Sequence, residues 1–215
     1  MGTFTYFRAK PLIASVSLAI VVGGCAGLEP RADGWNVPAV GSTWEIAQQN
    51  TGSFGGNVQF RVTRGEGTWQ GKHVVALTNS AGVATMATPE LGRWHAIVGK
   101  DGKPMLSWDP PLGWEYPLTV GKTWTTAYRM TVHAKNVTIP YELSCKVENY
   151  GDVTVAAGTY KAFKIVCTST IGNEEIFWTS PDLGVFLKAK LTRTAKSPFG
   201  PGTQESELIT QSIRR

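Results

Sequence analysis

Histidine and cysteine are scarce in this chain of 215 residues, three of each, and they never fall at ligand spacing. His73, His95 and His133 form no H-E-x-x-H or H-x-H, and no C-x-x-C occurs, so neither a metal cage nor a cofactor is expected. No G-x-S-x-G elbow presents a serine nucleophile. Gly121-Lys122-Thr123 looks like the end of a phosphate loop, but Tyr116 stands where that motif needs glycine, and a strand pattern follows. Gly65-Glu66-Gly67 lacks the third glycine of a dinucleotide site. Glu174 and Glu175 are adjacent, so on a strand they face opposite ways and cannot act as a glycosidase pair. Glu90 and Asp182 each follow a proline and read as turn acids. Basic runs and recognition helices are missing, which excludes nucleic acid as a partner. Nothing in the chain points to an enzyme.

Apolar runs are short as well. The longest, Leu12 to Val22, holds 11 residues, where a bilayer-spanning helix needs roughly 20. It follows Arg8 and Lys10 and ends in Gly23-Gly24-Cys25. A basic start, a short apolar core and a small-residue end are the parts of a secretory leader. Val22-Gly23-Gly24-Cys25 resembles the lipobox of bacterial lipoproteins. That resemblance implies a diacylglyceryl group on the Cys25 thiol, cleavage after residue 24 and attachment to a membrane. Ala26, where aspartate would favour the inner membrane, points to the periplasmic face of the outer membrane; inner-membrane anchoring or secretion are the alternatives. Two or three acyl chains would make the anchorage essentially permanent, since each buried methylene contributes about 0.8 kcal/mol.

Residues 1–24 carry two of the 21 basic residues and none of the 16 acids, so the remaining 191 residues have a net charge of about +3. Residues 25–39, rich in Pro, Gly and charge, are expected to form a flexible tether. From residue 40 the pattern is that of strands. Thr123 to His133 alternates cleanly, with Trp124, Thr126, Tyr128, Met130 and Val132 on one face. Similar runs span 57–64, 73–78, 94–98, 139–148, 160–168, 175–179, 185–194 and 205–213, separated by turn residues. This predicts an all-β fold, an antiparallel sandwich or a curled sheet or half-barrel. Two short repeats suggest two related β-units sharing one core, about 40–114 and 115–215. Val40-Gly41-Ser42-Thr43-Trp44 recurs as Val120-Gly121-Lys122-Thr123-Trp124, and Thr88-Pro89-Glu90-Leu91-Gly92 as Ser180-Pro181-Asp182-Leu183-Gly184. The stretch from Val155 to Lys164, with Phe177 to Val185, resembles secreted bacterial β-domains of unknown function. That likeness implies antiparallel strands and an envelope location.

With Cys25 taken by lipid, Cys145 and Cys167 form an even pair outside the cytosol. Alternation puts both on buried strand faces, which predicts a disulfide. All eight tryptophans lie beyond the leader. Trp108, Trp114 and Tyr116 fall in a Pro-rich stretch between the units, read as a loop whose rings could contact an apolar ligand, peptidoglycan or an envelope protein. Lys188, Lys190, Arg193 and Lys196 make one late strand and its exit basic. Lys188 and Lys190, on one face, read as protection of an edge strand, with a site for an anionic glycan or lipid as the alternative, and His133 reads as solvated. The function expected is non-catalytic binding or scaffolding in the envelope. The alternative is a carrier or sensor of an apolar or glycan ligand in an aromatic-lined pocket, and a dispersed hydrolase site is a weak third. A scaffold predicts a filled core, whereas a carrier predicts a cavity of several hundred Å³.

Overall fold

The computed structural model describes residues 1–2 and 29–214; the leader, Cys25 and the lipidation expected there lie outside the described residues. Two 3-10 turns, Gly52–Phe54 and His133–Lys135, are the helical elements among these residues. The strands are β1 (Arg31–Ala32), β2 (Thr43–Asn50), β3 (Val58–Trp69), β4 (Lys72–Asn79), β5 (Ala84–Ala87), β6 (Trp94–Val98), β7 (Pro104–Leu112), β8 (Leu118–Thr119), β9 (Thr123–Val132), β10 (Val137–Val155), β11 (Gly158–Ser169), β12 (Asn173–Ser180), β13 (Val185–Arg193) and β14 (Gly202–Ser212).

Twelve of them form one closed antiparallel barrel, β2 to β7 and then β9 to β14, each hydrogen-bonded to the next. β14 returns to β2 with register from Gln204↔Asn50 to Ser212↔Thr43. This corrects the expected sandwich or half-barrel. The alternation fixes which face is apolar, but pairing the first strand with the last abolishes both edges. Lys188 and Lys190 therefore guard no edge. β13 is paired on both sides, and the two lysines face Glu207 at 3.8 Å and Glu205 at 2.7 Å across β14.

The wall is built by two-residue periodicity. On β10, Tyr141, Leu143, Cys145 and Val147 are buried, while Glu142, Ser144, Lys146 and Glu148 are exposed. β9 shows the face anticipated, with Tyr128 and Met130 buried and Thr125, Ala127 and Arg129 exposed. Polar residues outside and apolar residues inside are the reverse of a membrane-spanning barrel. The inward residues make two clusters, one around Phe163, Ile165 and Val147, the other around Trp44, Leu187 and Leu208.

Cys145 and Cys167 stand directly opposite each other on β10 and β11 and are bonded. Both are almost fully buried. The bond closes a 22-residue separation, and a loop of that size stabilises by about 3 kcal/mol in the chain-entropy account. Replacing both cysteines by alanine is expected to lower the unfolding free energy by about that much, read as a lower urea midpoint. An unchanged midpoint would mean that the short hairpin already constrains the unfolded chain.

The two sequence repeats occupy equivalent places in the two six-stranded halves. Each V-G-x-T-W leads into the first strand of its half, β2 or β9. The Gly41 N–H donates to the Arg64 carbonyl at 2.9 Å and the Arg64 N–H to Ser42 at 2.9 Å. The Gly121 N–H likewise donates to Val147 at 2.8 Å and the Val147 N–H to Lys122 at 2.9 Å. Thr88–Gly92 and Ser180–Gly184 each turn the fourth strand into the fifth. Each turn is closed by the glycine N–H on the carbonyl four residues back, at 3.0 and 2.8 Å. Both glycines have positive φ, +62° and +74°, a conformation glycine adopts without Cβ strain. Glu90 and Asp182 are exposed; in the first turn it is the Thr88 hydroxyl that accepts from the Arg93 N–H, at 3.0 Å.

The expected tether is part of the fold from Arg31 onward. β1 pairs antiparallel with β8. The Asn36 N–H donates to the Pro181 carbonyl at 3.0 Å, and the Ala39 N–H to Arg214 at 3.1 Å. The physical reason is that the repeat begins earlier than Val40. Gly34-Trp35-Asn36-Val37-Pro38 matches Gly113-Trp114-Glu115-Tyr116-Pro117, with one more residue before Val120 in the second copy. The strap is thus the first half's version of the segment that precedes β9.

Candidate functional site: a cavity in the barrel lumen

The barrel holds a cavity of about 600 Å³. That is room for on the order of 20 water molecules, and within the range of small-molecule sites. Its walls are mainly apolar, including Ile46, Phe60, Leu77, Ile97, Leu106 and Leu187.

At the strap end the lumen is plugged by aromatic rings that hold corresponding places in the two sequence repeats. Trp35 and Trp114 are equivalent residues, as are Trp94 and Phe186. Phe186 meets Trp35, Trp94 and Trp114 at 5.7, 6.2 and 6.2 Å between ring centroids. Phe177 packs on Trp114 at 4.9 Å and on Phe186 at 5.4 Å. A void of about 50 Å³ remains among these rings.

The opposite end is polar. Asn173, Arg193, Gln204, Gln48 and Ser206 line it, and Glu175 sits between the two ends, lining both the large cavity and the small void among the rings. Gln48 Nε2 donates to the Ser206 hydroxyl at 3.2 Å and accepts at Oε1 from Gln204 at 3.3 Å. The Arg193 guanidinium lies between Phe54 at 3.9 Å and Phe199 at 4.8 Å, and its Nη1 donates to the Ser53 hydroxyl at 3.3 Å. Arg193 Nε and Asn173 Oδ1 are buried without a partner.

Glu175 projects into the lumen from β12. Burial pushes its carboxyl up to about 7, against the opposing pull of Arg193. Burial lowers Arg193, against Glu175. Burial also raises Tyr141 on β10, one strand removed from β12, helped by the charges of Glu175 and Tyr128 and opposed by Trp108. A carboxyl near half-ionised at neutral pH, beside an apolar chamber, can donate or accept a hydrogen bond.

The residues expected to bind on an exposed loop are placed differently. Trp108 belongs to β7 and lines the cavity. Trp114 is 8% exposed and lies in the core. Tyr116 packs against that core; burial raises its hydroxyl, which has no partner. The segment is fastened from both sides. Arg93 Nη2 donates to the Trp114 carbonyl at 3.0 Å, and Lys122 Nζ donates to the Glu115 carbonyl and, at 2.8 Å, to that of Pro117. The three rings thus face inward, and only Trp108 meets the large cavity.

The sequence pattern singles out Glu175 only as one of two adjacent carboxylates and Arg193 only as part of a basic strand. The available signal was their phase: Glu175 alternates with Asn173 and Phe177, and Arg193 with Leu191 and Ala189. A charge on an apolar inward face is rare unless it is used or paired. His133, expected to be solvated, shares a hydrogen bond with Ser107 at 2.9 Å. Ser107 lies between the cavity-lining Leu106 and Trp108 in sequence, so it points outward, away from the lumen.

Fold and cavity together define a closed up-and-down barrel with an apolar lumen that is polar at one end. No protein-family profile matches the chain, and no curated protein matches it in sequence. Several solved structures are similar in shape. One is a protein of Bacteroides fragilis described as exported and as having a YmcC-like fold, with TM-score 0.47 and 11% identity, covering 84% of this chain and 100% of that one. Another, described as a lipoprotein of Parabacteroides distasonis, has TM-score 0.43 and 9% identity over 84% and 100% of the two chains. The hypothetical lipoprotein YmcC of Escherichia coli has TM-score 0.44 and 11% identity over 82% and 91%.

Proposed function

We propose that this protein is a lipid-anchored barrel of the outer membrane's periplasmic face that carries an apolar or amphipathic molecule in its lumen and performs no catalysis. The observation that carries this reading is the cavity of about 600 Å³. A scaffold has no use for an unfilled core, whose lining forfeits packing contacts, whereas a carrier requires one. The inward turn of Trp108 and Trp114 favours a lumenal ligand over glycan stacking at the surface.

The anchor rests on the lipobox resemblance at Cys25. With the strap folded from Arg31, five residues separate it from Cys25. At about 3.3 Å per residue the leash is about 20 Å. The aromatic plug then faces the membrane and the polar end faces away.

The test is native mass spectrometry of protein extracted from envelopes in mild detergent. The expected spectrum shows a non-covalent adduct besides the acyl groups on Cys25, which Cys25→Ser removes without removing the adduct. A spectrum with no adduct, together with no uptake of an apolar fluorescent probe, would refute the carrier.

A further inference from the structure

We propose that the lumen takes a single-chain amphiphile with an anionic head, the chain directed toward the Trp94 and Phe186 plug and the head held by Arg193 and Glu175. This rests on the carrier reading and adds the chemistry and direction of the ligand.

The lining carries a gradient along the barrel axis. Aromatic rings close one end, Asn173, Arg193, Gln204 and Gln48 gather toward the strand ends at the other, and Glu175 lies between them, reaching both the chamber and the void among the rings. A molecule with one apolar and one polar end fits such a chamber in one direction. Of the charged residues on the lining, Lys188 and Glu207 face each other at 3.8 Å. Arg193 and Glu175 have no ion-pair partner within 4.0 Å among the described residues.

Arginine remains protonated even where burial lowers it. Phe54 and Phe199 flank the guanidinium without neutralising it, and its Nε is left unpartnered. A half-buried guanidinium with a spare donor calls for an anionic oxygen. Glu175, when protonated, adds a second donor to that oxygen. A cationic head would meet the fixed charge of Arg193 instead. The groups facing Glu175 are Arg193 from β13, Tyr141 from β10 and Asn173 on its own strand, with the Cys145–Cys167 bond on the neighbouring wall.

The experiment is a fluorescence titration with dansyl-undecanoic acid and its neutral methyl ester. The wild-type protein is expected to bind the acid tighter by about tenfold or more, the effect of one or two charge-assisted hydrogen bonds. Arg193→Leu should bring the acid down to the level of the ester and leave the ester unchanged, which also shows that the variant's lumen is intact. Arg193→Lys should keep a preference for the acid. As pH rises through about 7, where Glu175 ionises, the affinity for the acid should fall, and Glu175→Gln should flatten that profile.

Equal binding of acid and ester by the wild-type protein overturns the head assignment and leaves the carrier standing. Failure of both probes to bind overturns the carrier itself. A fatty acid and a single-chain phospholipid share the chemistry proposed, and the mass of the ligand released into organic solvent tells them apart. Either one supports the proposal; a released ligand with no anionic group overturns it.

Discussion

Ala189→Trp is expected to abolish most uptake of the neutral dansyl ester while the barrel melts at the same temperature or higher. Ala189 lies on β13 between Leu187 and Leu191 and opposes Phe177 and Ser206 on the flanking strands. It alternates with the lining Leu187 and Leu191, which puts its side chain on the lumen face of the strand. Enlarging a residue in a packed core costs about 1–3 kcal/mol through strain. Here the chamber of about 600 Å³ accepts an indole without that strain, and filling a void commonly stabilises. The ligand pays instead. If the indole covers about 100 Å² of wall, roughly half of what a buried aromatic carries, the lost contact is worth about 2.5 kcal/mol. That is on the order of 70-fold in affinity. A parallel thermal melt shows whether the variant is folded. Full affinity in a folded variant would mean that the probe sits outside the lumen, and the carrier reading would lose its site.

The faces of the strands were legible because side chains alternate with period two. The inward row of β9 and the buried faces of Cys145 and Cys167 follow from that period; that the two cysteines stand directly opposite each other is set by the β10–β11 register. Closure was not legible. Thr43 and Ser212 pair across almost the whole described chain, and no local pattern announces a partner so distant. The lumen was hidden for a related reason. Alternation says that Leu77, Ile97 and Leu187 point inward, but not whether they meet across the barrel. A ring of twelve strands has a wider interior than its side chains fill. Trp108 was misplaced by its neighbours Pro110 and Pro111, which read as loop punctuation. They lie past Asp109, the last β7 residue paired with β9, where the lost N–H donors break no bond in that ladder. The strap was missed because its sequence is rich in Pro, Gly and charge, although Gly34-Trp35-x-x-Pro repeats at Gly113.

The strap is also where a single methyl group should do the most damage. Gly184→Ala is expected to destabilise the protein by about 3 kcal/mol and to free residues 31–39. Gly184 has φ +74°, and an added Cβ would lie 1.9 Å from the Asn36 carbonyl oxygen and 2.8 Å from Pro38 Cδ. The positive φ alone costs about 1–2 kcal/mol for an L-residue, and the overlap with backbone adds a term of similar size. The strap can escape the clash only by lifting. That breaks the bond from the Asn36 N–H to Pro181 and draws Trp35 off Phe186. Gly121→Ala isolates the backbone contribution, because Gly121 has φ +87° and open space where a Cβ would go. Thermal melts with hydrogen exchange over residues 31–39 separate the two effects. Gly121→Ala should lower the melting temperature modestly and leave the strap protected, whereas Gly184→Ala should lower it further and raise exchange in the strap. Equal behaviour of the two variants would show that the strap rests on the barrel without holding it. If they differ as expected, the ring that closes this end of the lumen is set by residues 31–39, only six to fourteen positions beyond Cys25.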